Sequence, residues 1–141
     1  AWAPMAEQKA VAYYLGNRAA IDRFLTHFKG EVSERLTRIY TGLTGLKNEG
    51  LPVDAIAPEA AIYLTIKIDA VGKHTADGKK LDTQGDVTAY ILNEAKLAVV
   101  PFYAFGASRQ SAWYRLSVGT CKKEEIDAMI SQLRKALQQL S

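Results

Sequence analysis

Arg115 is the residue whose type and position most need a chemical explanation. It lies in Trp113-Tyr114-Arg115-Leu116-Ser117-Val118-Gly119, where Tyr114, Leu116 and Val118 alternate with Trp113, Arg115 and Ser117. A period of two marks a half-buried strand with one face on a core. An arginine at the centre of such a strand cannot discard its charge by losing a proton, so it needs an anionic partner or solvent. Its planar guanidinium offers a fork that fits a carboxylate with two parallel N–H bonds. No matching acid can be named on a neighbouring strand, so both a structural acid and the carboxylate of a ligand remain open.

Other reactive groups form no recognisable constellation. There is no P-loop, GxGxxG, GxSxG, HExxH or CxxC pattern. His27 and His74 are far apart and Cys121 is the single cysteine, so no Cys-His or Ser-His-Asp arrangement can be built. His74 has no nearby acid or metal-ligand spacing to make it a general base and reads as a solvated loop residue; His27 reads as structural or surface. Asp69, Asp77, Asp82 and Asp86 cluster around a loop, where solvation is the expectation. What remains is a place to bind an anion: Arg115, beside the aromatic, glycine-bearing stretch Phe102-Tyr103-Ala104-Phe105-Gly106-Ala107-Ser108.

Composition narrows the classes. A chain of 141 residues, 48% hydrophobic and 23% charged, is long enough to bury a core as one domain without disulfides. One cysteine provides neither a disulfide framework nor a cysteine metal cluster, which fits a reducing compartment. The net charge of +3 is scattered, with no basic block longer than a pair, which argues against a nucleic-acid partner. No apolar run approaches the roughly 20 residues of a membrane span. Glu7 and Lys9 interrupt any signal-peptide pattern. The opening Ala1-Trp2-Ala3-Pro4 reads like the middle of a loop, so a piece of a larger protein is expected.

The elements that must position Arg115 follow from periodicity. Val11, Tyr14, Leu15, Ile21, Phe24, Leu25, Phe28, Val32, Leu36, Ile39, Leu43 and Leu46 recur at helical spacing. Gly16-Asn17 predicts a break, leaving a second helix from about Asn17 to Leu46, roughly 45 Å long at 1.5 Å per residue. A helix of that length either kinks near Gly30 or lies across a neighbouring domain as a connector; its apolar stripe is expected to be core. Gly50 and Pro52 end it. A strand is predicted over Ala61 to Asp69, with Ile62, Leu64, Ile66 and Ile68 on the core face. Ala70 to Asp86 reads as a polar surface excursion with a turn at Asp77-Gly78. Asp86 or a neighbour caps a short helix through Lys96, followed by a strand at Leu97 to Val100, closed by Pro101. That strand and the Arg115 strand are candidates for an antiparallel pair. Thr120 is the expected cap of a last helix with Ile126, Met129, Ile130, Leu133, Leu137 and Leu140 buried. The fold class is therefore α+β: a small, mainly antiparallel sheet with helices packed on one face, preceded by a long connecting helix. Residues 1–50 form the helical connector and 51–141 the α+β domain.

The run from Glu59 to Leu140 resembles the carboxy-terminal small domain of the class I/II pyridoxal-phosphate aminotransferases, of aspartate aminotransferase fold type. The resemblance rests on the order of Ala61-Ile62-Tyr63-Leu64, the helix from Asp86 to Ala95, Val100-Pro101, Phe105-Gly106, Arg115-Leu116-Ser117 and the helix from Glu124 to Leu140. Trp2-Ala3-Pro4 and the following helix look like the segment just after the family's cofactor lysine and phosphate-gripping arginine. The resemblance implies that Arg115 binds the α-carboxylate of an amino acid or 2-oxo acid substrate and that Phe105 is a neighbouring wall of the site. It also implies pyridoxal phosphate in a full-length, cytoplasmic, homodimeric enzyme. No lysine here matches the Schiff-base motif, so the cofactor groups are expected in a large domain upstream; this part alone is expected to bind no cofactor and to be inactive. Two departures stand out: Pro101-Phe102 where the family often has Pro-Gly, and a longer excursion at Val71 to Gly85. The competing readings are a non-catalytic α+β ligand-binding or regulatory module and a structural interaction domain using the long helix.

Overall fold

The computed structural model describes residues 2–141. Its elements are α1 (Met5–Leu15), α2 (Arg18–Asn48), β1 (Val53–Ala55), β2 (Tyr63–Ile68), α3 (Gln84–Ala95), β3 (Val100–Pro101), β4 (Trp113–Ser117) and α4 (Ile126–Gln138), with single 3-10 turns at Phe102–Phe105 and Lys123–Glu125. The chain forms two compact units, one running up to Ser33 and the other comprising Glu34–Ser141.

In the larger unit the four strands pair in the order β1-β2-β4-β3, every pair antiparallel. This is the α+β fold the sequence predicts. Leu64, Ile66, Ile68, Tyr114 and Leu116 are buried on one face of the sheet. The buried side chains of the helices join them in one core: Leu36, Ile39, Leu43 and Leu46 of α2, Val87 and Ile91 of α3, and Ile126, Ile130, Leu133 and Leu137 of α4. Helices α2 and α4 meet at Gly42, where even a Cβ atom would come within 2.7 Å of Ile130 Cγ1. The glycine lets the two backbones approach closely. Helix α3 is tied to α4 where the Tyr90 hydroxyl donates to the Ala136 carbonyl at 2.8 Å, one of the last four carbonyls that a helix cannot satisfy internally.

Several local predictions need correction. Helix α3 begins at Gln84 with Thr83 as its cap; Asp86 closes a reciprocal capping box, accepting from the Thr83 backbone N–H while its own N–H donates to Thr83 Oγ1. Thr120 does not cap the last helix, which is entered through the turn at Lys123–Glu125 with no side-chain cap. The strand predicted at Leu97 to Val100 pairs only at Val100–Pro101, although Leu97 and Val99 are buried. The first predicted strand starts at Tyr63, because Ala61 takes a left-handed backbone (φ 64°) that breaks the extended run. Strand β1 has no signal in the sequence, since three residues after Pro52 are too few to show a periodicity. The α2 terminus does follow its sequence: Gly50 (φ 84°) and the bonds Leu51 N–H to Leu46 O and Gly50 N–H to Lys47 O form a Schellman cap.

The excursion after Ala70 is folded back on the domain. Leu81 is buried, Gly72 N–H donates to Leu81 O, and Leu81 N–H donates to Lys73 O. Its tip is the expected turn, with Gly78 N–H donating to Thr75 O and Gly78 at φ 84°. His74 exchanges two backbone bonds with Ser141, so the excursion also holds the carboxy-terminal residue.

In the smaller unit, α1 buries no residue, and α2 starts at Arg18 after the expected break at Gly16-Asn17. Val11, Tyr14, Leu15, Phe24, Leu25 and Phe28 are exposed, with Phe24 and Phe28 stacked at 5.9 Å. The expectation that the whole apolar stripe is core therefore fails over this part. Periodicity shows that a helix has an apolar face and leaves open what covers it.

Candidate functional site

The β2–β4 register places Thr65 opposite Arg115 and Tyr63 opposite Ser117. Side chains alternate across a strand, so Tyr63, Thr65 and Lys67 share with Trp113, Arg115 and Ser117 the face opposite the core. Tyr63 and Arg115 are diagonal neighbours, a spacing that an aromatic and a long side chain can bridge. The Arg115 guanidinium carbon lies 4.5 Å from the centre of the Tyr63 ring. It also lies 4.3 Å from the centre of the Phe105 ring.

Phe105 reaches Arg115 through the local chemistry of its turn. Pro101 (φ −66°) ends β3 and opens the 3-10 turn, whose last residue is Phe105. Gly106 then reverses the chain in a left-handed conformation (φ 89°), its N–H donating to the carbonyls of Phe102 and Tyr103. Phe102, at the position of the departure from the family's Pro-Gly, packs edge-on against Phe105 with ring centres 6.4 Å apart. The turn thus sets Phe105 over the guanidinium.

Among the described residues, no acid pairs with Arg115. The lysine on the same face, Lys67, is ion-paired with Asp69 at 2.8 Å. Arg115 is half-buried, and its charge is met by two aromatic faces, whose negative quadrupole attracts a cation. An aromatic ring accepts none of the guanidinium's N–H bonds in the plane of the group, so the fork remains available to a planar anion. Arg115 is seated from beneath: the preceding residue in the strand, Tyr114, points into the core, where its hydroxyl donates to Gln84 Oε1 at 2.6 Å. Burial pushes the Tyr114 hydroxyl up to about 12, so it stays a donor.

The remaining candidates stay apart from this cluster. His27 and His74 are exposed. Burial pushes the Cys121 thiol up, away from a nucleophilic thiolate. Asp77 and Asp86 are held below the usual carboxylate range by hydrogen bonds, first from the Thr75 and Thr83 side chains respectively, which are turn and cap interactions. Among the described residues no group of three or more His, Cys, Asp or Glu could hold a metal ion, and no helix is long and apolar enough to cross a membrane. The sequence reading missed Tyr63. Its signal was the open-face position on the strand next to that of Arg115, but only the register makes the two diagonal neighbours.

The chain resembles known proteins over nearly its whole length. A family model for aminotransferase class I and II matches residues 2–133. An aspartate aminotransferase of Rhizobium meliloti is 35% identical over 107 residues, covering 75% of this chain and 24% of that protein. A protein described as "Probable aspartate/prephenate aminotransferase" from Rickettsia bellii is 40% identical over 78 residues, 55% of this chain and 19% of that one. The crystal structure of the aspartate aminotransferase from Rhizobium meliloti superposes with a TM-score of 0.71 at 30% identity, over 84% of this chain and 28% of the other. The chain spans about a fifth to a quarter of the length of the curated relatives it matches. With the match running from Trp2 to Leu133, through the strand that carries Arg115, this chain belongs to the aminotransferase class I and II family.

Proposed function

We propose that this chain is the carboxy-terminal part of an amino acid aminotransferase, and that Arg115 seats the α-carboxylate of the amino acid or 2-oxo acid substrate. The observation that carries the reading is a mid-strand arginine lying against two aromatic rings, with no acid partner among the described residues. Phe105 forms one wall of the seat and keeps water from one side of the guanidinium. The rings shield faces of the guanidinium while its N–H edge stays open, so the fork is oriented for the two parallel bonds of a carboxylate.

Pyridoxal phosphate supplies the electron sink in such an enzyme. No lysine of the chain carries the Schiff-base motif, which supports looking for the cofactor groups elsewhere in the full-length enzyme. The reading assigns the cofactor groups to the large domain, in the part of the relatives' length that this chain does not span. What the chain contributes is orientation of the substrate and, as a small domain, closure on the bound carboxylate. The exposed apolar residues of α1 and the start of α2 fit a connector that a large domain or the second subunit of a homodimer covers. A cytoplasmic location accompanies this reading.

The test uses the full-length enzyme containing this segment. Arg115→Lys keeps the charge but loses the fork, and is expected to lower kcat/KM for all amino acid substrates by about ten- to hundredfold. Unchanged kinetics would sink the assignment.

A further inference from the structure

We propose that Tyr63 is a positioning residue for Arg115, acting through the face of its ring and independently of its hydroxyl; the inference rests on the reading of Arg115 as the carboxylate seat. Three observations carry it. The ring centre lies 4.5 Å from the guanidinium carbon, inside the range where a ring face holds a cation. The two residues stand on adjacent paired strands, so their relation is fixed by sheet register. Tyr63 remains 41% exposed, and its hydroxyl makes no hydrogen bond among the described residues, so neither core packing nor a polar anchor accounts for it.

The two rings hold Arg115 in different ways. Phe105 ends a 3-10 turn between two strands, whereas Tyr63 stands within β2, its backbone paired with Ser117 of β4. The Tyr63 ring therefore supplies the rigid wall. It limits the rotamers of a long side chain before substrate arrives, so less entropy is lost when the carboxylate binds. Removing the ring acts on substrate affinity, because it frees Arg115 without touching the reacting atoms.

The experiment measures steady-state kinetics of the full-length enzyme with Tyr63→Leu, Tyr63→Thr and Tyr63→Phe, and with Tyr63→Leu in an Arg115→Gln background. Tyr63→Thr retains strand preference without a ring, so it serves should the leucine variant fold poorly. Both ring-less variants are expected to raise KM roughly three- to thirtyfold with kcat within about twofold of the parent. Tyr63→Phe restores KM to within about twofold, and Tyr63→Leu adds nothing once Arg115 is glutamine. The inference is overturned if the ring-less variants leave KM unchanged, if phenylalanine fails to rescue, or if the leucine effect persists at full size without Arg115. A silent Arg115→Lys variant defeats the carboxylate reading itself; a damaged Arg115→Lys with a silent Tyr63→Leu defeats only the role of Tyr63.

Discussion

The Tyr114 hydroxyl donates a 2.6 Å hydrogen bond to Gln84 Oε1, both side chains being buried, and so joins the Arg115 strand to the first turn of α3. Tyr114→Phe leaves the Gln84 oxygen without its donor in a dry place. The expected loss is about 1–3 kcal/mol at pH 8, read by urea unfolding. The pH dependence has a definite sign. Burial raises the folded-state pKa of Tyr114 to about 12, above the ordinary tyrosine value, so the folded state retains a proton that the unfolded state releases. That stability is fully present below pH 10 and is lost as the pH rises towards 12. Wild type should therefore lose stability between pH 10 and 12 more steeply than Tyr114→Phe, and the gap between them should narrow. Tyr90, whose hydroxyl is also raised by burial, leaves a residual slope in both. Parallel pH profiles would contradict the account.

Two glycines of α2 give opposite expectations for the same substitution. At Gly45 a Cβ meets nothing within 4 Å, so Gly45→Ala gains helix propensity, about 0.5–1 kcal/mol of stability. At Gly42 the added Cβ falls 2.7 Å from Ile130 Cγ1 and 2.8 Å from its Cδ1, against a buried side chain with little room to retreat. Overpacking of this kind costs about 1–3 kcal/mol, so Gly42→Ala should be destabilised despite the helical gain. Chemical denaturation of the pair decides it; equal midpoints would mean that α2 and α4 do not meet at Gly42.

Leu81 tests whether the long excursion belongs to the core. Its side chain is 1% exposed, and Leu81→Ala is expected to cost about 2–5 kcal/mol. A cost near zero by denaturant titration would return the excursion to the status of a solvated surface loop.

Phe105 separates binding from folding. It is exposed, so Phe105→Ala should change unfolding stability by less than about 0.5 kcal/mol. By removing one of the two rings against Arg115 it should raise KM for amino acid substrates in the full-length enzyme, by roughly three- to thirtyfold. An effect on the unfolding midpoint with KM intact would make Phe105 a packing residue.

Local patterns in the sequence were enough for the α+β class, the break at Gly16-Asn17, the Gly50 cap, the Asp77-Gly78 turn and the two-faced character, though not the ends, of the strands that carry Leu64 and Arg115. Each is a local property, set by glycine's backbone freedom or by alternation within a few residues, and local rules suffice to read it. Arg115 was legible for the same reason: a charge at the centre of an alternating strand contradicts its surroundings wherever that strand lies. That Tyr63 stands diagonal to Arg115 and Phe105 stands over it emerges with the folded sheet, because both depend on register and on a turn that meets a strand ten residues away. The tertiary structure also decided which stretch of one apolar stripe is buried. Leu36 and Leu43 lie within the core while Phe24 and Phe28 stay bare, though all four recur at the same helical spacing. Periodicity fixes the direction in which a side chain points, and burial depends on what the rest of the chain places there.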